Sequence, residues 1–545
     1  MNVRELRAAL VRDADAGAGN VLVKLIEHGA ALDGPGITFD VAVDGQPAWT
    51  PLTLGMLRDA VAARAAWLHQ YGVRARDPVA VYVTSSADCL LSFMALTWLG
   101  AIPALMNGAI PAEIAASYIE RLRATAVLAD APHYAALVHR SIAASVVDVA
   151  LTGLGDPAQA PAHYRHHRDD PVAITHSSGT TRVPAAVLHS HGSLFAAIRA
   201  VHLESARAPE RTLCVFPAAH AAGIISLQLA LCNRHEHLFL SSQGATSGSS
   251  GRAVLEAIER WRPTGVYGFA VTWSELARYD LSEYDLSSVR FWFNTGDCAH
   301  ETHIRHLVAA GSHVAYSREN GVRNVPGSKF MDGIGSSEMG HSAFHIVHTA
   351  ASTRYGRCVG KPYRFAEIAL IDPATGTEVP AGQVGHVAMR SPTLAIGYWN
   401  DSVNTYRTRF RGYYLTGDLM YRDEDGYYYH VDRATDAVDL GDGFLYTAMS
   451  EERILARCPD VRDCTVIAGQ GQDGTVVTDV FLQLAAGADE HADRTAAVRA
   501  ALGERAAMTL RRVVAVSDED IVLGPTGKVR KFLMRERYLV PAAAS

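Results

Sequence analysis

Hydrophobic and polar positions along the first two thirds of the chain follow two rhythms. Short apolar runs such as PVAVYVT (78 to 84), TAVLAD (125 to 130) and TLCVFPA (212 to 218) read as buried strands. Between them lie longer stretches such as LRDAVAARAAWLHQYG (57 to 72), whose apolar spacing reads as helix. Strands and helices in alternation build α/β layers with mostly parallel sheet. From about residue 355 the strands shorten and meet at Gly turns, in EIALID, GHVAMR and GYYLTGDLMYRDEDGYYYHV, which is an antiparallel pattern. The fold class expected is α/β. It comprises a large multi-layer N-terminal domain with mostly parallel sheets plus a β-rich subdomain, and a small mobile α+β C-terminal domain.

The segment ATDAVDLGDGF after Arg433 is polar and reads as a flexible linker. It divides the chain into residues 1–433 and 434–545, the second part carrying Lys528. The stretch Cys89 to Ala112 has no charge and is long enough to raise a membrane span, but Gly100 and Pro103 interrupt it. It reads instead as a buried helix (about Ala87 to Leu99) running into a short core strand, IPALM. SSQGATSGSSGR (241 to 252) reads as a loop.

Composition narrows the function class. The chain has 545 residues, a formal net charge of -7 and no basic footprint, so no nucleic-acid partner is expected. Seven cysteines, odd in number and never in CxxC, argue against a disulfide framework or a zinc site and fit a reducing cytosol. The N-terminal MNVRELRAALVRDADAG has no apolar signal core, so a cytoplasmic location without membrane insertion is expected.

Four motifs carry candidate chemistry. In HSSGTTRVPAAVLHSH, residues Ser177, Ser178, Gly179, Thr180 and Thr181 offer hydroxyls and unhindered N–H groups of the kind that wrap phosphate oxygens. No Gly-Lys-Ser/Thr follows, so it is not a Walker loop. DGIGSSEMGH supplies Gly333 and Gly335 for close approach, the Ser337 hydroxyl, and Glu338 as one hard oxygen for Mg²⁺. In TGDLMYRDEDGYYYHVDR, Asp418 on a Gly turn could accept ribose hydroxyls, and Arg433 follows at the end of a predicted strand. GPTGKVRKF places Lys528 on a defined turn. Alone, each is commonly a plain turn or a solvated charge. Their order and spacing together are specific.

The set resembles the adenylate-forming superfamily of acyl- and aryl-CoA synthetases, carrier-loading adenylation domains and luciferases. GIGSSEMGH, YGRCVGKP and GYWN look closest to its benzoate-CoA ligase branch. The resemblance implies ATP and Mg²⁺ as cofactors. Residues 177 to 181 would hold the β- and γ-phosphates, Ser337 the α-phosphate, Glu338 the metal and Asp418 the ribose. Asp332, Gly333 and Ile334 would flank adenine together with the turn containing Gly296 and Asp297. Arg433 would contact the nucleotide and Lys528 the reacting oxygens, with hinge motion near Thr435 and Asp436. His220 matches the family's substrate-pocket histidine and counts with Lys528 and Arg433 as catalytic; Gly223, Gly335 and His341 would complete the pocket.

Three departures qualify the resemblance. The phosphate loop lacks its usual lysine, and Arg182 stands as a substitute charge. Ala219 and Ala222 flank His220 where aromatics are common. Asp436, Asp439 and Asp442 crowd the acceptor-side loop, which should disfavour a phosphate-rich acceptor. The leading expectation is activation of an aromatic or medium-chain acid as its adenylate and transfer to CoA or a carrier phosphopantetheine, in secondary metabolism. A small-molecule acid, an acceptor and a carrier protein are the partners in that reading. The alternative is an ATP-dependent diazotase that activates nitrite and delivers it to an aromatic amine.

Overall fold

The computed structural model describes residues 2–177, 183–203, 210–241, 250–317, 321–471, 474–524 and 527–539. The loop residues Ser178, Gly179, Thr180, Thr181 and Arg182, and most of the Gly/Ser stretch, lie outside this set.

Two large sheets organise the first part of the chain. In one, the strands Pro78–Val83, Ile102–Asn107, Ala126–Ala129 and Ser145–Asp148 run parallel, and Pro171–His176 joins them. The uncharged stretch forms the helix Ser86–Trp98 and the wholly buried strand Ile102–Asn107. Ser85 caps that helix by accepting the Asp88 N–H. Helix Leu54–Tyr71 starts at Thr53, which caps Met56 N, and ends at left-handed Gly72. Among the described residues no helix is long and apolar enough to cross a membrane.

In the second sheet, Arg211–Cys214, Gly265–Phe269, Phe291–Thr295 and Lys329–Asp332 are parallel neighbours. Their C-terminal ends emerge on one edge, where α/β sheets bind ligands. The β-rich region continues this second sheet. Lys329–Asp332 pairs antiparallel with Phe344–His348, and pairing then continues through Cys358–Pro362 to the hairpin Tyr413–Arg422/Tyr428–Arg433. One sheet therefore changes from parallel to antiparallel at its middle, because a short return after Asp332 allows only a hairpin-like connection.

Beyond Arg433, a three-stranded sheet (Val461–Gln470, Val476–Leu484, Leu510–Ala515) packs on the helix Thr447–Arg457. It has its own core of Ile454, Val466, Val480 and Val498. The stretch read as a flexible linker is a tight hairpin. Val438–Asp439 pairs with Phe444–Leu445, and Leu440 N–H closes it on the Gly443 carbonyl at 2.8 Å. Gly441, at φ 90°, supplies the left-handed turn that the polar composition concealed.

Candidate active site

The edge at Phe269, Thr295 and Asp332 borders a cavity of about 330 Å³. Phe216, Ile225, Tyr267, Phe293 and Met331 give it apolar walls, and His220, Gly335 and His341 line it as the sequence suggests. Gly223 does not fit the pocket assignment. A Cβ there would stand 2.7 Å from the Pro217 carbonyl oxygen, so this glycine lets its helix lie against the preceding loop. The side chain of Ile334 also turns away, into a core cluster with Cys298, Met339 and Phe344.

His220 precedes the helix Ala221–Asn233 and accepts the Ala222 N–H on Nδ1 at 3.1 Å. That leaves the ring proton on Nε2, 3.3 Å from Ser337 Oγ. Ser337 Oγ in turn lies 3.5 Å from the His176 carbonyl oxygen. Burial, aided by the neighbouring His176 and Lys528, pushes the His220 pKa down to about 3. His220 is thus a neutral donor that orients Ser337, and its Nδ1 is occupied, so it is not placed as a general base.

Deeper in the cavity His202 and His341 meet through their Nε2 atoms at 3.2 Å. His341 Nδ1 donates to the Ser342 carbonyl at 2.9 Å, so in the neutral ring its Nε2 accepts from His202.

Asp332 is buried beneath the strand ends, accepting from Asn294 Nδ2 at 2.6 Å and Gly333 N–H at 2.8 Å. Burial pushes its carboxyl up to about 7 despite these bonds. Asn294 Nδ2 also donates to the Asp297 carbonyl at 2.7 Å, which fixes the turn containing Gly296 (φ 85°).

Lys528 reaches this turn from the other end of the chain. Its Nζ donates to the Gly296 carbonyl at 2.8 Å and lies 3.8 Å from Asp297 Oδ2. The lysine is presented by a turn in which Gly524 N–H bonds the Lys528 carbonyl at 2.8 Å. Burial opposes ionisation of Asp297, but Lys528 and Arg357 outweigh it and hold the carboxyl at about 2.

Asp418 and Arg433 stand opposite each other in the hairpin register, and Arg433 Nη1 donates to Asp418 Oδ1 at 2.8 Å. Burial alone would raise the Asp418 pKa; the Arg433 charge and the His430 contact pull it well below the usual carboxylate range. Glu338 is half-buried, with one oxygen accepting from Tyr398 OH at 3.1 Å. It offers a single carboxylate, and among the described residues no cluster of three His, Cys, Asp or Glu side chains forms a metal cage. That donor set fits Mg²⁺, which is commonly held by one or two carboxylates together with phosphates and water. Ser177, the one described residue of the expected phosphate loop, accepts the Ala185 N–H on its hydroxyl at 3.1 Å. The rest of that loop's expected phosphate contacts fall on residues outside the described set.

The three acidic residues beyond Arg433 do not form a bare negative cluster. Arg535 Nη1 pairs with Asp436 at 3.0 Å, Arg505 pairs with Asp442 at 3.3 Å, and Asp439 accepts Gly441 N–H at 2.7 Å. The charge argument against a phosphate-rich acceptor therefore loses its force, because neighbouring arginines 99 residues away for Asp436 and 63 residues away for Asp442 supply the counter-charge.

An edge of parallel strands, a lysine delivered to it, and a buried carboxylate paired with an arginine form the arrangement that the motifs suggest. Residues 38–399 match the family model described as AMP-binding enzyme. The chain belongs to that family. It is an adenylate-forming enzyme, as the motif order implied. A 3-aminoavenalumate diazotase from Streptomyces sp is 41% identical over 98% of both chains. A 3-hydroxybenzoate–CoA ligase from Aromatoleum sp. (strain CIB) is 26% identical over 68% of this chain and 66% of its own. The crystal structure of an anthranilate CoA ligase in complex with anthranoyl-AMP superposes with a TM-score of 0.81 at 20% identity, covering 96% of this chain and 97% of that one.

Proposed function

We propose that this enzyme is an ATP-dependent diazotase, which adenylates nitrite and transfers the nitrosyl group to an aromatic amine. The observation that carries the reading is the 41% identity to a diazotase across 98% of the chain. The aromatic-walled cavity beside Ser337 and Gly296 supports it, because an arylamine needs an apolar slot opening on the reacting phosphate.

In this reading a nitrite oxygen attacks the α-phosphorus of ATP and pyrophosphate leaves. The Lys528 ammonium sits between the two repelling anions, where a preorganised charge lowers the barrier most. Ser337, oriented by His220, touches the α-phosphate, and Asp418 holds the ribose. Glu338 is the protein oxygen that would hold Mg²⁺, which when bound supplies charge neutralisation to the phosphates.

The arylamine nitrogen then attacks the nitroso nitrogen and AMP leaves with the bridging oxygen. The resulting N-nitroso compound gains a proton and loses water to give the diazonium ion. Residues 434–545 act as a mobile unit pivoting near Thr435 and Asp436, so that Lys528 withdraws after the first step.

The test is AMP release with nitrite or carboxylic acids, with and without aromatic amines and CoA. Turnover that requires nitrite and an arylamine together is expected. AMP release driven by a carboxylic acid and CoA, with none from nitrite, would return the enzyme to the CoA-ligase reading.

A further inference from the structure

Arg357 belongs to none of the chemical motifs, yet it occupies the centre of the charged floor of the site. It is 4% exposed and precedes the strand Cys358–Pro362 at φ 63°, a left-handed conformation uncommon for a residue with a side chain. Its guanidinium embraces His430. Nε donates to the His430 carbonyl at 3.2 Å and Nη2 to His430 Nδ1 at 2.8 Å, while His430 N–H returns to the Arg357 carbonyl at 3.0 Å.

A guanidinium has donors only, so His430 Nδ1 must accept. The ring is therefore neutral, with its proton on Nε2; an imidazolium would set two donors against each other. Nε2 lies 3.5 Å from Asp418 Oδ1, the oxygen that accepts from Arg433, a close polar contact short of hydrogen-bond geometry. On its other side, Arg357 Nη2 is 3.6 Å from Asp297 Oδ1, and Asp297 Oδ2 is the atom 3.8 Å from Lys528. One buried cation thus stands between the carboxylate assigned to the ribose and the carboxylate that meets the catalytic lysine.

We propose that Arg357 is a positioning residue of the nucleotide site, aiming Asp418 at the ribose through a fixed tautomer of His430 and sharing Asp297 with Lys528. The inference rests on the ribose role of Asp418 given above. It makes Arg357 and His430 determinants of ribose recognition that act through Asp418.

The experiment compares the affinities of ATP and 2′-deoxy-ATP by competition against a fluorescent nucleotide. It uses the wild-type chain and the variants Asp418→Asn, Arg357→Gln and His430→Phe. A ratio of two affinities on one preparation cancels any loss of folded protein, which thermal melting reports separately. Wild type is expected to prefer ATP by about tenfold, the range of one hydrogen bond to a charged group. Each variant is expected to reduce that preference to within about twofold. A wild-type preference retained in Arg357→Gln but lost in Asp418→Asn would overturn the proposal and leave the ribose assignment standing. A preference that is absent in wild type, or unchanged in Asp418→Asn, would overturn both.

Discussion

His220 holds Ser337 with the ring proton on its Nε2, and Lys528 donates to the turn Asn294 to Asp297. Replacing Lys528 by Ala should lower the rate of adenylate formation by roughly 10²–10³, the typical loss for one preorganised charge, with ATP affinity largely kept. Single-turnover AMP formation and nucleotide titration separate the two quantities. Asp332 is a second residue with a clear consequence. Its folded pKa of about 7 exceeds its ordinary 3.8, so the contribution it makes to stability is full below about pH 4 and is lost as pH rises to 7. Asp332→Asn removes that loss, and its stability gain over wild type should be about 2–3 kcal/mol larger at pH 8 than at pH 5. Denaturant titrations at the two pH values measure it; an equal gain at both would remove the assigned titration. The sequence singles out Lys528, Asp418 and Arg433 because polar residues on glycine turns in a fixed order are a local signal. It does not single out Arg357, since its partner His430 is 73 residues away and only the antiparallel pairing brings them together.

Among the elements, local pattern located the strands and helices of the parallel layers, including the uncharged helix Ser86–Trp98 and its following strand. It failed where pairing decides the outcome. Nothing local told that Lys329–Asp332 would pair with Phe344–His348 and so fuse the β-rich region to the parallel sheet. Likewise the polar segment after Arg433 folds into a hairpin because Gly441 permits it. The helix Thr447–Arg457 is capped from outside its own unit: Asp432 Oδ2 accepts from Thr447 N–H, from Thr447 Oγ1 at 3.0 Å and from Ala448 N–H at 3.3 Å. Asp432→Ala should cost about 1–2 kcal/mol at this helix terminus. Hydrogen exchange in residues 447 to 457 should then rise while the strand Pro78–Val83 keeps its protection. Uniform loss of protection throughout the chain would show that Asp432 has no local capping role.

At the scale of the molecule, contacts between the two parts of the chain and the buried histidines set the working conditions. His300 binds Glu452 at 2.6 Å, His303 meets the Arg462 carbonyl at 2.8 Å, and Arg278 pairs with Asp518 at 2.7 Å. These are polar contacts, of the kind common between domains of one chain. Burial lowers His163, His166 and His191 to about 4 and His189 and His237 to about 3. Their folded pKa lies below the ordinary imidazole value of 6.5, so the unfolded chain takes up protons first as pH falls. Stability should be full above about pH 6.5 and fall toward pH 4, at about 1.4 kcal/mol per pH unit for each of these groups. Asp332 and the burial-raised carboxyls of Asp88, Glu275 and Glu451 act in the opposite sense, against these five imidazoles and the likewise lowered His220 and His348. A thermal midpoint that is flat from pH 7 to pH 5 would contradict this balance. The most direct test of the central claim follows one oxygen atom. With nitrite labelled in both oxygens by ¹⁸O, and ATP and an arylamine supplied, mass spectrometry should find AMP carrying one ¹⁸O alongside the diazonium product. Unlabelled AMP, or label-free turnover that depends on a carboxylic acid and CoA, would contradict it.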